Sequence, residues 1–336
     1  MAVCVLVQLC VLVTAVTARH VTYNNRPVIG VLAQATDSKT HGDTYIPANY
    51  VKYLEQAGAR VVPVRVREQV TYYVKLFSQI NGVLFPGGSV GIVSSDYAKA
   101  ARILYDMAVK VRAICSLRCM LPYHTRCPWT LQANDAGDHF PLWGTCQGFQ
   151  LLTNLTARHN LLQPTDAENI SLPLDLTPDA KSSRLLGRLS QKTLHILTTE
   201  NVTPNFHHYG LLLETFNQTK SLTSFYRPIS TNRGRKGKVF VSTIEAFKYP
   251  FYGTQWHPEV INFDWNPKQA LDHTSNGVLI SHYFSSFFIN EARLSGHKFP
   301  NVQAAADAVI ENFHVNYQND GTFMETYYLN YTKSYP

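Results

Sequence analysis

A cysteine and a later histidine are the residues whose surroundings could support nucleophilic chemistry. Cys146 follows a short apolar run, Phe140 to Trp143, which is typical of a buried strand, and Gln147 to Leu155 continues with helical spacing. Gly144 would let the backbone turn sharply before the cysteine. A thiol on the first turn of a helix lies at the positive end of the helix dipole, which favours the thiolate. The stretch therefore predicts a nucleophile elbow with cysteine in the position of serine.

His257 is the candidate for the proton-transferring partner of that thiolate. It follows a short predicted strand, Phe251 to Gln255, and Glu259 comes two residues later, where its carboxylate could orient the imidazole. A lone cysteine is more often a core residue and a lone histidine more often a structural one, so neither is decisive by itself. Together they would allow a thiolate to attack a carbonyl carbon, the histidine to protonate a leaving amine, and water to hydrolyse the thioester.

Five stretches of the chain, taken together, resemble the class I glutamine amidotransferase-like superfamily and, within it, the gamma-glutamyl hydrolase family. The stretches are Tyr50 to Arg65, Asn81 to Ser89, Trp143 to Cys146, Asn205 to His207 and Gln255 to Glu259. The family consists of cysteine peptidases that cleave folate polyglutamates. The resemblance therefore implies the fold of that superfamily and a cysteine hydrolase activity.

The resemblance assigns five groups to the reaction. Cys146 would be the nucleophile, His257 the acid and base, and Glu259 the residue that orients the histidine. The backbone N–H groups of Gly88, in the turn Pro86-Gly-Gly88, and of Gln147 would stabilise the oxyanion. Without the cysteine, this turn would be interpreted as an ordinary tight turn.

Three further residues are substrate-binding candidates. The resemblance assigns Tyr50 and His207 to the substrate, although Tyr50 could equally be a core aromatic residue of its helix. Gln150 lies one helical turn after Cys146, at a position where the family often has glutamate. Glutamine keeps an acceptor oxygen but not the negative charge. We therefore expect Gln150 to alter substrate affinity or the pH optimum, and not to abolish activity.

The activity that the resemblance implies is cleavage of gamma-glutamyl peptide bonds in folyl- and antifolyl-poly-gamma-glutamates through a thioester, without a cofactor. Two other functions stay open. One is a catalytically silent binding protein on the same fold, which Gln150 and the unusual segment 111–132 would favour. The other is a glutaminase-type amidotransferase subunit, although the chain has no residues left over for a synthetase domain. No Cys-x2-Cys pair is present, so we expect no metal site.

The first 18 residues contain no charged side chain and are mostly Val, Leu and Ala. We expect a signal peptide, cleaved after the small residues Val16-Thr17-Ala18, even though a positive n-region is missing. The alternative is a membrane anchor, for which the run is short. Residues 19–336 would then form one domain, which is secreted or lysosomal.

Sequons for N-glycosylation agree with entry into the secretory pathway. We expect modification at Asn169, Asn201, Asn217 and Asn330. A fifth sequon at Asn154 lies on the helix after the nucleophile, and we expect it to be too buried for a glycan.

The net charge of +7 could attract a polyanion. A poly-glutamate substrate fits this charge, but a solvated basic surface without a specific use explains it as well. No basic helix with interleaved aromatic residues is present, so we expect no nucleic-acid partner. We expect no membrane partner, and we allow for a homodimer.

Strand and helix patterns alternate along much of the chain, which predicts a mostly parallel sheet with helices on both faces. With the resemblance, the fold class is α/β, a flavodoxin-like three-layer sandwich. Ligands bind at the carboxyl ends of the strands in such sheets, where both Gly88 and Cys146 lie. The predicted strands are Pro27–Leu32, Ala59–Val64, Gly82–Phe85, Phe140–Trp143, Ser171–Leu176, Tyr226–Ser230, Val239–Ile244 and Phe251–Gln255. The predicted helices are Pro47–Gln56, 67–79, Asp96–Lys110, Gln147–Leu155, Leu189–Leu197 and Ser275–Arg293.

Four segments fit this pattern less well. Gln34 to Thr44 is polar and predicts a loop. Residues 111–132 contain three cysteines and no acid, so they are either a surface insertion or translated intron, and we favour the latter. The basic turn Asn232 to Gly237 is most simply a solvated hairpin tip, and the tail from Gly296 has no predicted role.

Overall fold

The central element of the fold is a sheet of eight strands. The computed structural model describes residues 23–36, 42–109, 134–318 and 323–330. The strands of the described residues, which belong to three sheets, are β1 (Val28–Leu32), β2 (Gln34–Ala35), β3 (Thr44–Pro47), β4 (Arg60–Val64), β5 (Val83–Phe85), β6 (Leu142–Thr145), β7 (Gln163–Leu172), β8 (Asp175–Leu176), β9 (Thr203–Gly210), β10 (Tyr226–Arg233), β11 (Val239–Ala246), β12 (Phe251–Thr254), β13 (Val315–Tyr317) and β14 (Glu325–Leu329). The order in the large sheet is β4-β1-β5-β6-β12-β11-β10-β8. The first five of these strands are parallel, and the last three join antiparallel.

Helices cover both faces of this sheet. The helices of the described residues are α1 (Ala48–Glu55), α2 (Val70–Phe77), α3 (Asp96–Val109), α4 (Gln147–Ala157), α5 (Gln191–Thr199), α6 (Leu213–Gln218), α7 (Lys220–Thr223), α8 (Val260–Phe263), α9 (Ser275–Ala292) and α10 (Val302–Ala308). Helices α2, α3 and α4 share a core with Leu142, whereas α1, α5 and α9 share the other core with Trp143. Successive strand residues point to opposite faces, so β6 contributes to both cores. The predicted three-layer α/β sandwich is confirmed.

Helix α9 supports the two segments that carry the catalytic candidates. The ring of Trp143, in β6, lies 5.6 Å from that of Phe288. The ring of Trp256, next to His257, lies 4.8 Å from that of Phe284. All four aromatic side chains are fully buried, so this apolar layer fixes the ends of β6 and β12 relative to each other.

Most of the predicted elements are confirmed with shifted ends, but the predicted strand Ser171–Leu176 is wrong. The chain forms two strands here, in different sheets: β7 pairs with β9, and β8 pairs with β10. Pro173 separates them, because it has no N–H to continue the β7 ladder. Strand β9, which contains His207, was not predicted as a strand.

The predicted loop Gln34–Thr44 and the C-terminal tail meet in a second sheet, of order β13-β14-β3-β2. Gln34 and Thr44 lie in the paired strands β2 and β3, so the loop prediction is wrong at both of its ends. Strand β14 pairs antiparallel with β3, with Tyr328 opposite Tyr45. The tail therefore has a structural role that its local sequence did not indicate.

The expected signal peptide, residues 1–18, and the segment 111–132 lie outside the described residues. Within the described ranges, no helix combines the length and the apolar character needed to cross a membrane. The assignment of residues 19–336 to one domain stays a prediction.

Gly148 allows α4 to approach the end of β5, because a β-carbon at this position would overlap the carbonyl oxygen of Phe85. We expect Gly148→Ala to displace the helix and to lower the free energy of unfolding by about 3 kcal/mol. Urea denaturation followed by tryptophan fluorescence measures this change. Gly296→Ala is the control, since a β-carbon there would meet nothing within 4 Å. Equal unfolding midpoints for the two variants would contradict the tight contact.

Candidate active site

Cys146 and His257 line one cavity of about 1080 Å³, and the fully buried Glu259 contacts His257 from outside the lining. Gly88 follows β5, Cys146 follows β6 and His257 follows β12, so the cavity lies at the carboxyl ends of the parallel strands. This is the edge of the sheet at which the sequence placed the ligand site. The cavity is large enough for a drug-sized ligand.

Cys146 forms the elbow between β6 and α4. Its φ of 51° and ψ of −108° are strained for a residue with a side chain. The strain is held because its N–H donates to the carbonyl of Thr254 at 2.7 Å and its carbonyl accepts the N–H of Gln150 at 3.0 Å. The cysteine itself, with its positive φ, therefore makes the sharp turn that we expected Gly144 to allow. A β-carbon at Gly144 would instead collide with the backbone of Gly148.

His257 and Glu259 form a buried pair beside Cys146. Nδ1 of His257 lies 2.6 Å from Oε1 of Glu259, which is fully buried. Nε2 of His257 is buried and has no hydrogen-bond partner among the described residues. Gly87 lies next to both residues, since a β-carbon there would be 2.9 Å from Cε1 of His257 and 3.2 Å from Cβ of Cys146. The pair with Glu259 thus leaves Nε2 as the ring atom for proton transfer.

The charges around His257 decide its protonation. Burial alone would lower the pKa of the imidazole, but the negative charges of Glu259 and Cys146 oppose it and raise the pKa well above its ordinary value. The imidazolium is therefore favoured at neutral pH. It can donate a proton to a leaving amine, as the sequence analysis expected.

The turn Pro86-Gly87-Gly88 is held by Gln34, which is fully buried. Nε2 of Gln34 donates to the carbonyls of Gly87 at 3.1 Å and Pro86 at 3.3 Å, and to Oε1 of Gln147 at 3.2 Å. The backbone N–H groups of Gly88 and Gln147 make no hydrogen bond to the described residues. Both residues line the cavity, as oxyanion donors would, and the assignment of this role stays a prediction.

Tyr50, in α1, lies beneath the cavity and not in its wall. Its hydroxyl accepts the N–H of Gly87 at 2.7 Å and lies 3.5 Å from Nδ1 of His257. Burial, followed by the charges of Glu259 and Cys146, raises the pKa of this phenol well above its ordinary value, so it stays neutral. This position favours support of the turn and the histidine over direct contact with substrate.

His207 lines the cavity from β9. Its Nε2 lies 3.1 Å from Oδ1 of Asn205, and its Nδ1 lies 3.1 Å from Oγ1 of Thr165 and 3.0 Å from the carbonyl of Tyr209. Burial and the charge of His257 lower its pKa to about 3. The ring is therefore neutral at physiological pH, and its predicted contact with substrate would be a hydrogen bond or packing, not a charge pair.

Gln150 also lines the cavity and connects α4 to β9. Its Nε2 donates to the carbonyl of Tyr209 at 2.8 Å and to Oε1 of Gln255 at 3.3 Å. A glutamate here would place a carboxylate, which cannot donate a hydrogen bond, against both of these oxygens. Only the Gln255 amide could rotate to offer its N–H group instead. The glutamine thus fits its surroundings, and its effect on substrate affinity or on the pH optimum stays a prediction.

Known proteins match the chain over the region that carries this site. A family model described as Peptidase C26 matches residues 27–259, and mouse gamma-glutamyl hydrolase (Mus musculus) is 38% identical over 307 residues, which cover 90% of each chain. The chain belongs to the gamma-glutamyl hydrolase family. The human (Homo sapiens) gamma-glutamyl hydrolase is also 38% identical, over 90% of this chain and 89% of its own. Gamma-glutamyl hydrolase B of Dictyostelium discoideum is 35% identical, over 92% and 84%. The family resemblance inferred from the sequence is confirmed.

In this family member, Gln34 and the tail contribute to the site although no sequence motif indicated them. Gln34 lies two residues after the end of the first parallel strand, and this position near a carboxyl strand end was the signal that could have identified it. Phe323 and Tyr328 reach the cavity through the pairing of β14 with β3. No local pattern indicates that pairing, because the paired strands are far apart in the sequence.

The sequons differ in their surroundings. Asn154 is buried, as expected, and its Nδ2 donates to the carbonyl of Ile92 at 2.8 Å. Asn201 and Asn217 are exposed, and Asn330 is half-buried. Glycosylation at Asn169, Asn201, Asn217 and Asn330 stays a prediction.

Tyr50→Phe removes the acceptor of a buried backbone N–H, that of Gly87. We expect the free energy of unfolding to fall by about 2 kcal/mol, because the donor is left without a partner. Urea denaturation measures this loss. Tyr53→Phe is the matched control on the same helix, since its buried hydroxyl has no hydrogen-bond partner among the described residues, and we expect little change. If both variants behave alike, the hydrogen bond from Gly87 to Tyr50 does not support the site.

Proposed function

We propose that this protein is a cysteine hydrolase that cleaves gamma-glutamyl amide bonds of folyl poly-gamma-glutamates. The observation that carries the proposal is the buried pair of His257 and Glu259 beside Cys146, at the wall of a large cavity. Membership in the family supports the bond type, since the curated relatives are named gamma-glutamyl hydrolases. The assignment of a folyl group to the substrate is based on the family resemblance described under the sequence analysis.

The first step forms a thioester. The Cys146 thiolate attacks the γ-carbonyl carbon of a glutamyl residue, and the carbon–nitrogen bond of the amide breaks as the tetrahedral intermediate collapses. Nε2–H of His257 gives its proton to the leaving nitrogen, which departs as an amine. The histidine is then neutral, while Glu259 continues to hold its Nδ1–H.

The second step consumes one water molecule. Neutral Nε2 of His257 accepts a proton from water as the oxygen attacks the thioester carbonyl. The carbon–sulfur bond breaks and Cys146 leaves as a thiolate beside a reprotonated imidazole. The product forms as the γ-carboxylic acid, which loses its proton to solvent and becomes the γ-carboxylate. In both steps the negative oxygen would be stabilised by the N–H groups of Gly88 and Gln147.

The composition of the cavity wall supports a substrate with an aromatic part and a polar chain. Aromatic residues reach the cavity from several elements, and two of them, Tyr45 and Phe323, have ring centroids 6.3 Å apart. Polar residues such as Gln150 and His207 line the same cavity as Cys146. A pteroyl group and a glutamyl chain would find both kinds of surface.

We infer that the protein enters the secretory pathway and works outside the cell or in lysosomes. The uncharged apolar run of residues 1–18 supports this location. Exposed sequons at Asn201 and Asn217 are compatible with it. Peptide-N-glycosidase treatment and N-terminal sequencing of the secreted protein test the inference, and a retained residue 1 would contradict it.

The activity is tested with pteroyl-penta-gamma-glutamate at acid and neutral pH, with chain lengths followed by mass spectrometry. We expect shortening by the full chain and at least a thousandfold slower cleavage by Cys146→Ala, roughly the loss that removal of a nucleophile causes. The α-linked pentaglutamate is the matched control substrate and should stay intact. A variant without residues 111–132 shows whether that segment is needed.

The products also distinguish exopeptidase from endopeptidase action, because the first releases single glutamates and the second releases shorter chains. No cleavage by a folded full chain, or equal cleavage by Cys146→Ala, would contradict the proposed activity. In the first case, binding of the pentaglutamate without turnover would identify a silent binding protein.

A further inference from the structure

Lys268 is the one lysine or arginine that the described residues contribute to the cavity lining. Its side chain is exposed and forms no ion pair or hydrogen bond with another described residue. A poly-gamma-glutamate carries a free α-carboxylate on each residue of its chain. An unpaired ammonium group at the cavity therefore matches the charge of that chain.

The backbone of Lys268 is fixed on both sides although its side chain is not. Its N–H donates to Oδ1 of Asn266 at 3.0 Å, and its carbonyl accepts from Nδ2 of Asn169 at 2.9 Å. Oδ1 of Asn169 accepts the N–H of Ala270 at 2.6 Å. Asn169 thus binds the segment after α8 at two points and determines where the lysine leaves the backbone. We call residues 266–270 the lysine segment.

Asn169 is itself held in place. It lies at an irregularity of β7 with a φ of 50°, a left-handed conformation that asparagine tolerates better than most residues. The guanidinium of Arg235 donates to the carbonyls of Glu168 at 2.7 Å and Asn169 at 3.1 Å. The basic turn is therefore not only a solvated hairpin tip, because its arginine fixes the strand that holds the lysine segment.

The acidic residues of the cavity wall do not neutralise Lys268. Oε2 of Glu168 lies 3.7 Å from Nε2 of His208. Asp264 is buried, and Oδ1 accepts the N–H of Asn266 at 3.3 Å. Burial raises the pKa of the Asp264 carboxyl. Among the described residues that line the cavity, Lys268 is left as the one lysine or arginine that could pair with an anionic ligand.

We propose that Lys268 is a specificity-determining residue that binds an α-carboxylate of the glutamyl chain, and that Asn169 is its positioning residue. The proposal rests on the proposed function, because it assumes a gamma-glutamyl substrate in this cavity. It adds to that function a source of preference for long chains. Each additional glutamyl residue brings an additional α-carboxylate. A chain long enough to place one of these carboxylates at Lys268 would therefore bind more tightly than a shorter chain.

The test compares kcat and KM of the full chain and its variants on pteroyl-di- and pteroyl-penta-gamma-glutamate at low and high salt. Lys268→Met keeps the apolar stem without the charge. We expect it to raise KM for the pentaglutamate about tenfold with little change in kcat, the loss of one charge-assisted contact. Lys268→Arg should restore most of the affinity. Lys298→Met, which removes an exposed charge outside the cavity lining, is the matched control and should behave as wild type.

The positioning role is tested with Asn169→Ala, which should also raise KM for the pentaglutamate while Lys268 is present and add little in the double variant with Lys268→Met. Because Asn169 lies in a sequon, Asn217→Ala is the control for loss of a glycan. Cleavage by wild type with unchanged KM in Lys268→Met would overturn this proposal and leave the proposed function intact. Absence of cleavage by wild type would instead remove the proposed function on which it rests.

Discussion

The rest of the site depends on one buried charge, the imidazolium of His257 between Glu259 and Cys146. A charge of this kind is costly to bury unless negative groups face it. Glu259 is fully buried and 2.6 Å away, and the interactions with Glu259 and with Cys146 both raise the pKa of the imidazole. The same arrangement that stabilises the charge contains the proposed nucleophile and the proposed proton donor. Stability of the site and its chemistry therefore have the same electrostatic origin.

Holding Cys146, His257 and Glu259 together requires contacts that take no part in the reaction. The strained backbone of Cys146 is tied to β12 through Thr254, and the aromatic layer on α9 fixes both strands from below. Tyr50 and Gln34 hold the turn after β5 from two sides, one through an N–H and the other through carbonyls. Thr254, Tyr50 and Gln34 are fully buried, so their hydrogen bonds are protected from water and keep the site in one geometry.

The sequence predicted the parts of the site that depend on local pattern. The elbow at Cys146, the turn at Gly88 and the segment from His257 to Glu259 each follow a recognisable strand, and a parallel sheet brings such strand ends together. It did not predict the partners that come from far along the chain. Gln34 was assigned to a loop, the tail strand that contains Tyr328 had no role, and Asn169 was considered only as a sequon. These contacts depend on pairing between distant strands, which neither propensity nor periodicity encodes.

The measurement that tests this account most directly is the titration of His257. We would label the histidines at Cε1 with ¹³C, assign the His257 signal from the spectrum of His257→Gln, and follow it by NMR in wild type and Glu259→Gln. We predict that His257 in wild type stays protonated to a pH well above the pKa of an ordinary histidine. We also predict that its pKa falls when Glu259→Gln removes the carboxylate. An ordinary pKa in wild type, or the same pKa in both proteins, would contradict the buried charge as the basis of the site.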